Sequence, residues 1–126
     1  MTEEKLSLGK LGEEKALSFL KKKGYRILAQ NYRCRVGEID IIARDGKIIA
    51  FVEVKTRTSL RYGSPFLAVD LRKQQTIAKV AVSYLKEKRA TARICRFDVV
   101  GVTLSEEGEE IELIKDAFRL RDNANI

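Results

Sequence analysis

The chain has no histidine, one proline and two cysteines in 126 residues, and each scarcity removes options. Without histidine, neither a Ser-His-Asp nor a Cys-His arrangement can activate a nucleophile, so hydrolytic chemistry would have to use carboxylates, lysine or a bound cation. Cys34 and Cys95 stand far apart, in no CxxC or Cys/His spacing, which argues against structural zinc and reads as thiols. No stretch approaches the length of a membrane-spanning helix, and "MTEEKLSLGK" lacks the apolar run of a signal peptide. A cytoplasmic protein with no membrane partner is expected. Pro65 falls in the loop-like "TSLRYGSPF", and no repeat, low-complexity tract or linker interrupts the chain. Residues 1–126 therefore read as one domain, long enough to bury roughly two thirds of the unfolded surface without staples.

Charge is abundant and unevenly placed. The net charge is +7, but residues 55–96 alone carry eleven Lys/Arg against Asp70 and Glu87, whereas residues 97–126 carry eight acids against three bases. The basic middle segment suits a polyanion such as nucleic acid, and it equally suits a solvated helix face.

Hydrophobic periodicity divides the chain into elements. From about Ser7 to Lys23 the pattern is helical, with Ala16, Leu17 and Leu20 on one face and Gly24 placed as C-terminal cap. "YRILAQNYR" has strand character, and "VGEIDIIAR" and "KIIAFVEVKTR" flank Asp45-Gly46, a strong signal for a two-residue type I′ turn. Asp70 is a credible N-cap for a helix from about Leu71 to Lys88, with an apolar stripe of Ile77, Ala78, Ala81, Tyr84 and Leu85. "ARICRFDVVGVTL" and "EEIELIKDAF" supply two further strands across "SEEGE". The strand-helix-strand crossover implies a parallel pair, hence an α/β fold with a mixed sheet covered on both faces.

The central hairpin carries charges where a core strand should not. With Asp45 and Gly46 as the turn, Arg44 would face Lys47, Asp40 would face Phe51 and Glu38 would face Glu53. Alternation then gathers Glu38, Asp40, Glu53 and Lys55 on one face, Asp40 diagonal to Glu53 at roughly 7–8 Å between Cβ atoms, and leaves Ile39, Ile41, Val52 and Val54 on the other. Two carboxylates at that spacing can reach one hard cation, Mg²⁺ or Mn²⁺. A solvent-facing strip on an edge hairpin would show the same alternation; apolar Ile42 and Phe51, and the need to cover both faces of a mixed sheet, weigh against it. Glu13 and Gln74 each lie three and four residues before apolar positions of their helices. They fit either a cleft shared with the hairpin or helix ends bending back to water.

These residues resemble a known pattern. Asp40, twelve intervening residues, then Glu53-Val54-Lys55 resembles the D…(D/E)xK motif of restriction-endonuclease-like nucleases, and helix-strand-strand-strand-helix-strand is similar to their common core. "LGEEKALSFLKKKGYRILAQNYR", "GEIDIIARDGK", "FVEVKTRTS" and "RKQQTIAKVAVSYL" together resemble the YraN family of small bacterial proteins. The resemblance implies a restriction-endonuclease-like fold related to archaeal Holliday-junction resolvases. It implies that Asp40 and Glu53 bind the metal, that Lys55 positions or activates the attacking water, and that Glu13 and Gln74 support the site. Glu38 would serve as a ligand or behind one. Ile39 stands where many restriction enzymes have proline, a residue the chemistry does not require. Arg57, Arg61, Arg72 and Lys73 are candidates for phosphate contacts. The expected activity is metal-dependent hydrolysis of phosphodiester bonds in DNA, nonspecific or selective for branched DNA, since nothing resembles a base-reading element. Cutting two strands would favour a homodimer. The alternatives are a nucleic-acid-binding or interaction module that retains the motif without turnover, and a structural protein whose charges pair internally.

Overall fold

The computed structural model describes residues 3–59, 63–64, 69–90 and 94–119. Helix α1 (Glu3–Lys22) begins four residues before the expected start and is followed by strands β1 (Arg26–Cys34), β2 (Gly37–Asp45) and β3 (Ile48–Arg57). Helix α2 (Leu71–Glu87), β4 (Ile94–Ser105) and β5 (Gly108–Phe118) complete the described elements. Gly24 ends α1 as the sequence suggests. At φ +93° it turns the chain, so that its own N–H donates to Lys21 O at 3.0 Å and Tyr25 N–H to Leu20 O at 2.9 Å, which satisfies carbonyls the helix end would leave open. Asp70 caps α2, its Oδ1 accepting from Lys73 N–H at 2.9 Å.

The five strands lie in sequence order, antiparallel except for the parallel β3–β4 pair that the α2 crossover requires. A separate core fills each face. Ile42, Ile49, Phe51, Phe97 and Val99 meet Ile77, Val80, Ala81 and Tyr84 of α2, whereas Ile41, Ala43, Ala50, Val52, Val100 and Val102 meet Ala16 and Leu20 of α1. Each fully buried side chain of this size contributes about 1.5–3 kcal/mol, and that margin lets the fold carry a costly polar site.

Two sequence expectations are corrected. The turn is Gly46-Lys47, not Asp45-Gly46, because Asp45 pairs with Ile48 and Ile41 with Val52. Of the two turn residues only Gly46 has positive φ (63°), the pattern of a type II′ rather than a type I′ turn. Asp45 is held at the end of β2 by Arg96 Nη2 at 2.9 Å, a contact local propensity does not register. The two-residue slip would set Asp40 opposite Glu53 instead of diagonal to it, but the pairing stops one residue short, at Ile41↔Val52. Alternation itself fails next to Asp40: Ile41 packs under α1, yet Ile39, two residues away, packs under α2. Neighbouring β1 changes face at the same level, where Asn31 adopts φ 50° between the pairs Gln30↔Ile41 and Tyr32↔Ile39. Asp40 therefore occupies a kink that a strict period of two does not anticipate.

Candidate functional site

At this kink the β2–β3 ladder ends. The last paired residues are Ile41 and Val52, and the Val54 N–H donates to the Asp40 carboxylate, Oδ2, at 2.8 Å. β3 continues in unbroken parallel register with β4 as far as Arg57↔Thr103. The two strands thus fork, with Asp40 at the branch point on one and Glu53 beside it on the other.

Both helices reach the fork. Gly12 is buried against β3, where a Cβ would overlap the Thr56 side chain, so the absent side chain lets α1 approach and brings the next residue, Glu13, towards Asp40. On the other face, the Asp70 cap orders the first turn of α2. From that turn Lys73 Nζ reaches Glu53 Oε2 at 3.3 Å, while Gln74 Nε2 donates to Val69 O at 2.9 Å and ties the approach segment to the helix.

The electrostatics of the cluster are unfavourable to ionisation. Burial, then the charge of Asp40, push the Glu53 carboxyl up to about 8, and the opposing pull of Lys73 is the weaker influence. Asp40 is raised by burial, a rise the Val54 N–H opposes. Glu13 is raised by burial and then by the charges of Asp40 and Glu38. Glu53 Oε1 is buried without a hydrogen-bond partner, although the side chain as a whole is only 14% exposed. Near neutrality, then, Glu53 retains its proton beside Asp40.

A family model described as the uncharacterised protein family UPF0102 matches residues 12–102, a span that holds Gly12, Glu13, both fork carboxylates and all of α2. The chain belongs to the UPF0102 family. It is 60% identical over 115 residues to a UPF0102 protein of Syntrophus aciditrophicus, covering 91% of each chain. It is 52% identical to one of Geobacter metallireducens, covering 90% of this chain and 93% of the relative. With a relative from Caldicellulosiruptor saccharolyticus the identity is 49%, over 90% of this chain and 98% of the other.

In this UPF0102 chain the remaining candidates are dispersed around the fork. Glu38 accepts from Arg33 Nε at 3.3 Å across β1–β2, so its carboxylate already has a partner. Lys55 is exposed, and the ammonium seated on Glu53 is that of Lys73. Arg72 is exposed on α2, Arg57 is half-buried on β3, and Arg61 lies outside the described residues. The donor set at the fork suits a hard, partly hydrated cation: two carboxylates that resist ionisation together, one with an unpartnered buried oxygen. Among the described residues no group of three or more His, Cys, Asp or Glu side chains is placed to hold a metal ion.

Sequence reading missed a second polar cluster, built around β4. Asp98, fully buried on β4, accepts from Tyr25 Oη at 3.0 Å, from Arg96 Nε at 2.8 Å and Nη2 at 2.9 Å, and from Asp116 N–H at 2.9 Å. The available signal was an acid inside the apolar run Phe97–Val102.

Proposed function

We propose that this protein is a metal-dependent nuclease that hydrolyses phosphodiester bonds in DNA, with Asp40 and Glu53 holding Mg²⁺ or Mn²⁺ at the fork. The observation that carries the reading is the meeting of Asp40 and Glu53 where β2 and β3 part. They are held half-buried in a protonation state that a divalent cation would relieve. The D…ExK spacing, the mixed sheet and the resemblance to restriction-endonuclease-like proteins and archaeal Holliday-junction resolvases support it, as does the basic segment that includes α2.

When bound, such a cation supplies charge stabilisation at the phosphate and lowers the pKa of a water ligand. The chain's own residues prepare for that chemistry. The Val54 N–H fixes the Asp40 carboxylate so that no rotamer search is left for the reacting complex. Glu13, raised toward neutrality by burial and by its acidic neighbours, is suited to accept a proton from the attacking water. Lys73, released from Glu53, and Lys55 would present positive charge to the phosphate. Among the described residues no element resembles a base-reading one, so selectivity for shape, including branched DNA, fits better than selectivity for sequence.

A second reading, a nucleic-acid-binding module without turnover, is favoured by one observation: an ammonium already sits on Glu53, and it is not that of the motif lysine. Labelled linear duplex, single strands and four-way junctions, incubated with Mg²⁺ or Mn²⁺ or with chelator, separate the two. Cutting that needs the metal and disappears in Asp40→Asn supports the nuclease; chelator-insensitive binding with no cutting of any substrate supports the module.

A further inference from the structure

Among the described residues, only three buried side-chain polar atoms lack a hydrogen-bond partner: Glu53 Oε1, Arg57 Nε and Arg57 Nη2. All three belong to β3, four residues apart. Because the β3–β4 register is unbroken through this stretch, alternation places both side chains on the same face of the sheet. A buried donor left unpaired costs roughly 1–3 kcal/mol, more when it is charged, so two on one guanidinium call for a ligand.

The same molecule shows what that edge accepts. Arg96, the half-buried arginine of the adjacent strand, turns its Nε–Nη2 edge onto both oxygens of Asp98, at 2.8 and 2.9 Å. Arg57 buries the same edge with no carboxylate in it. The acidic pocket of the β4–β5 turn opens onto Thr58, Ser59 and Thr103 but is not lined by Arg57. A planar guanidinium fork matches the paired oxygens of a phosphate as it does those of a carboxylate.

We propose that the Nε–Nη2 edge of Arg57 is a bidentate subsite for a backbone phosphate flanking the one at Asp40 and Glu53, and that it sets the register of the substrate strand. This rests on the reading of the substrate as a phosphodiester chain. Four residues of strand span about 13 Å between Cα atoms, which leaves room for a second phosphate beside the one at Asp40 and Glu53. Unmet polar atoms at the two ends of this stretch, a carboxyl oxygen and a guanidinium edge, match a cation at one end and an anion at the other.

The test reads binding in chelator, so it does not depend on cutting. Short DNA duplexes carrying a neutral methylphosphonate at one position at a time are titrated into the wild-type protein, Arg57→Lys and Arg57→Ala. In the wild type one position is expected to weaken binding about tenfold or more, and in both variants that position becomes silent, since lysine keeps the charge but not the fork. A position pattern unchanged in Arg57→Lys, or no sensitive position, would overturn the proposal. If the variants do not fold, the Arg57 Nε–H resonance of the wild type serves instead: it should shift with duplex. A shift with inorganic phosphate alone would assign the subsite to free phosphate, and no shift with either would leave it without an anion; both overturn the proposal. Loss of cleavage in Asp40→Asn bears on the nuclease reading and leaves this result untouched.

Discussion

At Glu53, burial and the negative charge of Asp40 act together against the ionised form, and the 3.3 Å contact with Lys73 does not offset them. The consequence for stability has a definite sign. Between the ordinary value of 4.5 and about 8 the folded protein keeps a proton that the unfolded chain has released, so stability should fall as pH rises through that window, and the raised Asp40 and Glu13 act in the same sense. Thermal unfolding in chelator is expected to show this decline, with a shallower one in Glu53→Gln; added Mg²⁺ should raise Tm more near pH 8 than near pH 5. A flat wild-type profile would contradict a buried, protonated Glu53. Asp98 presents the opposite case, an acid with every hydrogen bond made. Asp98→Asn leaves Arg96 without its bidentate partner and is expected to lower stability by about 3–5 kcal/mol in urea unfolding, and a loss below 1 kcal/mol would mean the network is idle. Spacing and alternation put Asp40 near Glu53, but through a register two residues off and an alternation that fails at Asp40. That Asp98 is buried was not legible, because nothing local pairs it with Tyr25, 73 residues away.

Among elements, the contact between α1 and β3 decides how closely Glu13 approaches the fork. Gly12 is unfavourable in a helix interior by about 1 kcal/mol relative to alanine, and an added methyl there collides with Thr56. Gly12→Ala should therefore destabilise the protein by about 1–3 kcal/mol despite its better propensity, and Thr56→Ala, which removes two of the three clashing atoms, should restore part of that loss. A double-mutant cycle on urea midpoints measures the coupling; additive losses would place the helix farther from the strand. The end of α1 and the start of α2 were readable because Gly24 and Asp70 act on their own backbone neighbours. The hairpin register was not: Asp45-Gly46 is the better local turn, but Arg96 and Lys115 hold Asp45 within β2 and move the turn one residue along.

Across the whole molecule, charge is divided between a basic segment centred on α2 and an acidic β4–β5 hairpin. No helix among the described residues is long and apolar enough to cross a membrane. Under the proposed function, affinity for duplex DNA should fall with salt, linearly on logarithmic axes, at about 0.9 per phosphate contact, and Arg72→Ala should reduce the slope by about that amount. Fluorescence anisotropy in chelator checks this, and salt-independent binding would refute a backbone-phosphate footprint. By itself the sequence determined the order of elements, the mixed sheet and the apolar stripes of both helices, because periodicity and short-range capping chemistry act between near neighbours. Tertiary structure alone decided that alternation breaks at Asp40, that Lys73 rather than Lys55 reaches Glu53, and that one arginine finds a carboxylate while another does not. Those outcomes depend on how strands and helices from distant parts of the chain are brought together, and no local preference encodes them.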